Sequence, residues 1–324
     1  MANQTSTLPQ YQYKRKHGFF YNLKKYRVLT LMCVPAIIFF FAFNYMPLPG
    51  IYVAFVKYNY RDGIFGSKFI GLDNFKFLMQ SGKLLDLTKN TILYNLAFIV
   101  LGNVIAMFMA VLLNEIHNKY FKKVSQTIIY LPHFLSWVVT ASVFGLILSP
   151  SSQGLVNSFL ASIGVVEKGS EIYFLGSLKW WTPAFFVINV WKDTGWQTII
   201  IMATLVGISQ EIYEAAGIDG AGRWKKMWYI TMPALANTII TVIILNLAKV
   251  LNLFESVFVL QNDAVMEKAE VIQTYVYNQT FNSGGIPNYG YTTAVGLFKS
   301  LVGCVLVLIC NYISKKVRNG RGIV

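Results

Sequence analysis

The chain has 324 residues, 55% of them hydrophobic and 13% charged, with a mean hydropathy of +0.49 and a formal net charge of +14. Those values lie far from an ordinary soluble domain, and apolar runs of about 20 residues match the thickness of a bilayer. The positive charge does not point to nucleic acid, because the lysines and arginines sit at the edges of apolar runs rather than among aromatics on one soluble face.

Taken in order, residues 1–27 form a basic N-terminal segment carrying Lys14, Arg15, Lys16, Lys24, Lys25 and Arg27. The apolar run after it, Val28 to Tyr45, is too long and too aromatic for a cleaved signal peptide, and no small-x-small site follows it. It reads as a retained helix. Ile51 to Val56 is too short to span and reads as a partly buried extramembrane segment. Five more spans are expected at Thr91 to Leu113, Ile128 to Leu148, Pro183 to Val206, Ala234 to Val257 and Thr292 to Ile313. The fold class is an all-α polytopic membrane protein with six transmembrane helices over residues 28–313, closed by a basic tail at 314–324. No strand alternation of the β-barrel kind is present.

Orientation follows from lysine and arginine, which are retained on the cytoplasmic side. With the N-terminus inside, the four inner segments hold sixteen basic residues and the longer outer segments only nine. Both termini and the loop 207–233 are therefore expected in the cytoplasm.

Residues for chemistry are sparse. His17, His117 and His133 are scattered, and no metal-binding spacing is present. Cys33, Cys304 and Cys310 fall inside spans and form no disulfide framework. A Gly-x-Ser-x-Gly elbow and a phosphate-cradling Gly-x-x-x-x-Gly-Lys loop are both missing. The chain is expected to be non-catalytic, with no cofactor or metal of its own.

What remains is polarity inside the spans, which is expensive in hydrocarbon and needs a partner or a watery cavity. In the fourth span Asn189, Asp193 and Gln197 recur at intervals of four on one helical face, with Lys192 and Trp196 at its margins. In the fifth, Asn246, Lys249, Asn252 and Ser256 recur at three, three and four, with Glu255 adjacent; Lys299 stands in the sixth. Two readings stay open. The groups glue the bundle through interhelical bonds, with Asp193 paired to Lys249 or Lys299, or they line a translocation path. Lys192 is able to neutralise Asp193 or to snorkel outward. Trp180, Trp181 and Trp191 suit an interfacial aromatic belt, and Trp196 alone suits sugar stacking.

The loop between spans four and five reads EAAGIDGAGRWKKMWYITMP, Glu214 to Pro233. Ser209 is placed to cap a helix whose first turns hold Glu211 and Glu214, favoured by the positive helix end. Small residues Ala215, Ala216 and Gly217 leave a flank open to close approach. Asp219 and Gly220 then turn the chain. A second short helix through Arg223, Trp224, Lys225 and Trp228 suits the membrane surface, and Pro233 is placed to open the fifth span.

Glu214-Ala215-Ala216, Gly220, Ile230 and Met232-Pro233 in this register resemble the EAA motif of permease subunits of binding-protein-dependent ABC importers. Met232 departs mildly from the motif's usual Leu. SKFIGLDNFKFL, TKNTILYN, LFESVFVLQNDAV and YGYTTAVGLFKSLV resemble the carbohydrate-uptake branch, closest to permeases for oligosaccharides derived from polysaccharides, over about Val28 to Asn319. The resemblance implies a type I permease fold. It also implies a coupling helix around Glu214 to Asp219, in which Glu214 contacts an ATPase subunit and Gly220 makes the bend.

The implied partners are a second homologous permease, two ATPase subunits carrying ATP and Mg, and an extracytoplasmic solute-binding protein docking on the outer loops 149–181 and 261–291. The implied function is ATP-driven import of an oligosaccharide across the cell membrane. Neutral sugar is the default, and Lys192, Lys249 and Lys299 are compatible with an acidic oligomer unless Asp193 and Glu255 cancel them. The alternatives are an ABC permease for a peptide or amino acid, an ion-coupled secondary transporter and a membrane enzyme. The second would leave the loop unexplained, and the third lacks a catalytic cluster.

Overall fold

A computed structural model describes residues 18–151, 153–167, 169–247, 249–282, 284 and 287–317. The chain divides into two compact units, one up to Tyr52 and one from Val53 onward. In the first, the helix Arg27–Phe40 runs on through a π-turn at Phe41–Tyr45, matching the expected first span. None of its side chains is buried, so an apolar surroundings such as lipid must cover them.

The second unit opens on a small two-stranded ribbon, Val56–Lys57 against Lys68–Phe69. Val53, Ala54 and Val56 are buried, in keeping with the short apolar segment expected there. The second span is a 33-residue helix, Lys83–Glu115, which starts eight residues before the apolar run. Hydropathy does not register those first turns because they are amphipathic. Leu84 and Leu87 pack with Ile272, Tyr275 and Tyr291, while Lys83, Asp86 and Lys89 stay outside.

The third span differs from the straight helix expected at Ile128 to Leu148. The helix Lys119–Tyr130 runs on through the turn Leu131–Phe134, and after a break at Leu135 and Ser136 a second helix, Trp137–Ile147, leaves at 104°. Pro132 lacks a backbone donor and opens the tighter turn that ends the first limb, and the extended backbone of Leu135 and Ser136 makes the bend. The Ser136 hydroxyl restarts the helix by accepting from Val139 N at 3.2 Å.

The fourth span, Trp181–Val206, agrees with the expected boundaries to within two residues and turns by 67° into a helix at Gln210–Ile218. It packs along the second span, where Ala106, Ala110 and Leu113 meet Ile201, Met202 and Leu205. The small side chains let the two backbones approach closely.

The fifth span corrects two expectations. Arg223–Lys226 is not a separate surface helix but continues through a π-turn at Met227–Thr231 into Met232–Leu247. Pro233 therefore lies inside a 25-residue run, and the wider turn just before it accommodates its ring. At the other end the helix stops at Leu247, and Lys249 to Leu253 follow in turns before a new helix at Glu255–Leu260. The sixth span is Tyr289–Val317, 29 residues. With each bent pair taken as one span, the described residues hold up to six helices long and apolar enough to cross a membrane.

Candidate functional site

Asp193 stands at the middle of the 26-residue fourth span, on the order of 20 Å from either end at 1.5 Å per residue. Hydrocarbon at that depth offers no hydrogen bonds, so a polar cavity there has to be built by the protein. A cavity of about 490 Å³ is present, walled by the second, fourth and fifth spans and by the broken segment after Leu247. Asn189, Asp193, Gln197, Asn246, Lys249, Asn252 and Glu255 all border it.

The fifth-span residues reach the cavity by a route that periodicity did not reveal. Their spacing of three and four suggested one continuous helix, yet Lys249 and Asn252 lie in the turns after Leu247. Lys249 N donates to the Asn246 carbonyl at 3.0 Å and Asn252 N to the Lys249 carbonyl at 2.8 Å. These tight turns keep the side chains on the same wall. Irregular backbone at membrane depth is tolerated where it lines a cavity.

A second chamber of about 360 Å³ shares Asp193, Gln197, Asn246 and Lys249 with the first and adds His133 and Trp196. Asp193 is bound by neither Lys249 nor Lys299. Its Oδ1 lies 3.2 Å from His133 Nδ1, a partner sixty residues earlier in the chain, in the turn Leu131–Phe134. Trp196 stacks on the His133 ring at 5.2 Å and on Tyr130 at 6.1 Å.

Lys192 neither pairs with Asp193 nor snorkels. Its buried ammonium donates to the His133 carbonyl at 3.2 Å and lies 5.2 Å from the Trp137 ring centre. Adjacent residues on a helix point about 100° apart, so Lys192 grips the bent third span while Asp193 faces the cavity. Gly195 makes that grip possible, since a Cβ there would fall on the Ile129 carbonyl oxygen. Lys299 is not brought to the cavity. It lines a groove of about 570 Å³ beside the sixth span, which meets the cavity at Phe254 and Gln273.

The lining also includes residues that the sequence reading passed over: Asn95, Phe98 and Gly102 of the second span, Trp137, Thr194 and Gln273. Asn95 carried a signal, an amide within an apolar run; Gln273 lies outside the spans and carried none. Thr194 Oγ1 and Gln197 Oε1 are buried without a protein partner among the described residues. Such groups suit a hydroxyl-rich guest or water.

At the end of the bundle bearing the loop 207–233, Gln210–Ile218 forms a short helix with Ser209 at its N-cap position, although the serine side chain makes no capping bond. Its other end is a Schellman turn. Ala221 N donates to the Ala216 carbonyl at 2.8 Å and Gly220 N to the Gly217 carbonyl at 3.1 Å. Gly220 adopts φ +76°, a left-handed conformation costly for other residues. Glu214, Ala215, Gly217 and Asp219 are exposed, Ala216 and Ile230 are half-buried, and Pro233 is exposed. Ile218, an apolar side chain 88% exposed, extends the same free surface.

Residues 102–319 match the family described as "Binding-protein-dependent transport system inner membrane component". The chain belongs to this family.

Among its relatives, the polygalacturonan/rhamnogalacturonan transport system permease protein YteP of Bacillus subtilis (strain 168) is 38% identical over 291 residues. That alignment covers 90% of this chain and 88% of YteP. Protein LplB of the same organism is 37% identical over 295 residues, covering 91% and 90% respectively. Among solved structures, a chain of a bacterial alginate ABC transporter in complex with alginate pentasaccharide-bound periplasmic protein superposes with a TM-score of 0.83 at 33% identity. The match covers 94% of this chain and 99% of that one. The chain is thus a transport permease with the ABC importer fold, an inner membrane component.

Proposed function

We infer that this family member imports an oligosaccharide carrying acidic sugars, driven by ATP hydrolysis on partner ATPase subunits. The observation that carries the reading is the mid-span polar cavity, joined through the fourth span to the exposed helix Gln210–Ile218. Amides, hydroxyls and unpaired acceptors match the many hydroxyls of a sugar, and Phe98, Trp137 and Phe254 offer apolar faces for its rings.

Acidic sugar is favoured over neutral by the division of charge. Asp193 is engaged by His133, while Lys249 has no carboxylate within 4.0 Å among the described residues. The names of YteP and of the alginate transporter, which concern acidic polymers, point the same way. Glu255 borders the cavity as the opposing charge, so the preference rests on position rather than on net count.

In this reading both termini and the loop 207–233 face the cytoplasm, where Glu214, Ala215, Ala216 and Gly217 meet an ATPase and Asp219 and Gly220 turn the chain back. Ile230 and Pro233 seat the lever at the foot of span five. A second permease completes the pathway, two ATPases hold ATP and Mg, and a solute-binding protein docks on the outer loops. Closure of the ATPases rocks the spans between inward-facing and outward-facing states.

The test is co-purification of the complex, followed by ATPase stimulation with binding protein and a panel of uncharged and uronate oligosaccharides. Stimulation by uronate oligomers is expected; equal responses to both sets would remove the acidic assignment. Transport by this chain reconstituted alone would remove the ATP-driven one.

A further inference from the structure

A lever transmits motion only if it is fastened to what it moves, and the helix Gln210–Ile218 has few such fastenings. Its N-terminal end follows Ile208, which packs beside the cluster of Leu113, Leu205 and Leu235. Beyond that, a cavity of about 240 Å³ opens between the helix, the end of the second span and the foot of the fifth, bordered by Asn114, Glu115, Tyr213 and Arg223. Close packing is therefore interrupted where force would have to cross.

One hydrogen bond and one close approach bridge the interruption. The Tyr213 hydroxyl lies 2.9 Å from the Thr231 hydroxyl, eighteen residues on, and Thr231 is itself buried at the end of the π-turn. Thr231 also directs its hydroxyl to the Lys226 carbonyl at 3.5 Å, which leaves it to accept the tyrosine proton. The Lys226 ammonium lies over Gly217, 2.9 Å from where a Cβ would stand. A cation at the last turn of a helix is favoured by its partial negative charge.

We propose that Tyr213 and Thr231, with Lys226 over Gly217, form a strut that fixes the coupling helix to the foot of span five. The strut positions the lever and touches neither sugar nor ATP. The π-turn has a role in this arrangement: a regular helix from Arg223 would rotate Thr231 relative to Lys226 and away from the tyrosine. The inference rests on the coupling role proposed above and adds the residues through which displacement of the helix moves the span that borders the cavity at Asn246.

The experiment uses the complex with its ATPases in a background with Cys33, Cys304 and Cys310 replaced by alanine. A cysteine placed at Gln197 reports, through maleimide labelling, how far ATP changes access to the cavity, whatever sugar is carried. Tyr213→Phe and Thr231→Val are expected to co-purify with the ATPases and hydrolyse ATP as before. The ATP-dependent change in labelling should fall roughly three- to tenfold, the weight of one hydrogen bond on an equilibrium. Thr231→Ser, which keeps the hydroxyl, should label as the parent does, and the double variant Tyr213→Phe with Thr231→Val should be no worse than either single one.

Unchanged labelling in both single variants would overturn the strut. Loss of ATPase co-purification in Tyr213→Phe would overturn it too, by placing the residue in assembly. Glu214→Lys run alongside separates the two proposals: if that variant assembles and switches normally, the coupling assignment has failed, whatever the strut variants do.

Discussion

The contact between the bent third span and the fourth can be broken by one methyl group. At Gly195 the atoms in the way are backbone, the Ile129 carbonyl and Tyr130 Cα, so no flexible side chain can yield. Gly195→Ala must push the spans apart by about 1 Å before the new Cβ reaches the 3.4 Å of ordinary contact. Overpacking of this kind costs about 1–3 kcal/mol. The same displacement stretches the His133–Asp193 pair and the Lys192 bond to His133, both 3.2 Å, beyond hydrogen-bonding range.

Gly145→Ala is the matched control. It lies in the same bent span with nothing within 4 Å of its Cβ position, and an alanine in a helix interior is favoured over glycine by about 0.5–1 kcal/mol. Thermal unfolding of the detergent-purified complex should show Gly195→Ala lowered and Gly145→Ala equal to or above the parent. Uptake should be lost only in the first. Equal midpoints for the two variants would refute the close-approach argument.

Lys249→Met should lower uptake of uronate oligomers roughly tenfold or more while leaving any uncharged substrate within about threefold, as loss of a charge-assisted hydrogen bond requires; competition assays in proteoliposomes read the difference. Gly220→Val places a β-branched residue at φ +76°, at a cost of about 1–3 kcal/mol. Together with Glu214→Lys, it should abolish uptake while the protein remains inserted, as measured by membrane fractionation beside transport. Burial raises the Glu270 carboxyl above its ordinary 4.5, with Lys83 and Asn278 pulling the other way. The folded state therefore holds this proton more tightly than the unfolded chain. Its stabilising effect is complete below 4.5 and is lost as pH rises through the raised value. Glu270→Gln should flatten that part of the midpoint-versus-pH curve, and a curve of unchanged slope would show that another group sets it.

Apolar run length was legible along the whole chain, because hydrocarbon thickness is a one-dimensional constraint that each helix meets by itself. The fourth span and the left-handed bend at Gly220 fell close to where local chemistry put them. Boundaries failed where an element's reason lay elsewhere in the fold. The second span runs on past its apolar stretch because Leu84 and Leu87 find Tyr275 and Tyr291, and the foot of span five joins on as one helix through a π-turn.

The polar stripes show the same division. Expense in lipid singled out Asn189, Asp193, Gln197, Asn246, Lys249, Asn252 and Glu255 one at a time, and the fold gathers all of them around one cavity. Pairing could not be read in that way. Lys192 and Asp193 are neighbours in sequence but diverge around the helix, while His133 meets Asp193 from another span sixty residues away, a pairing no local pattern shows. The sequence by itself determined that this protein lives in a membrane, roughly where its chain crosses and where the loop 207–233 bends, since each depends on residues within one turn or one apolar run. Which charges meet, where the fifth helix breaks and that the Tyr213 and Thr231 hydroxyls meet were decided only by tertiary structure, because each depends on contacts between residues apart along the chain.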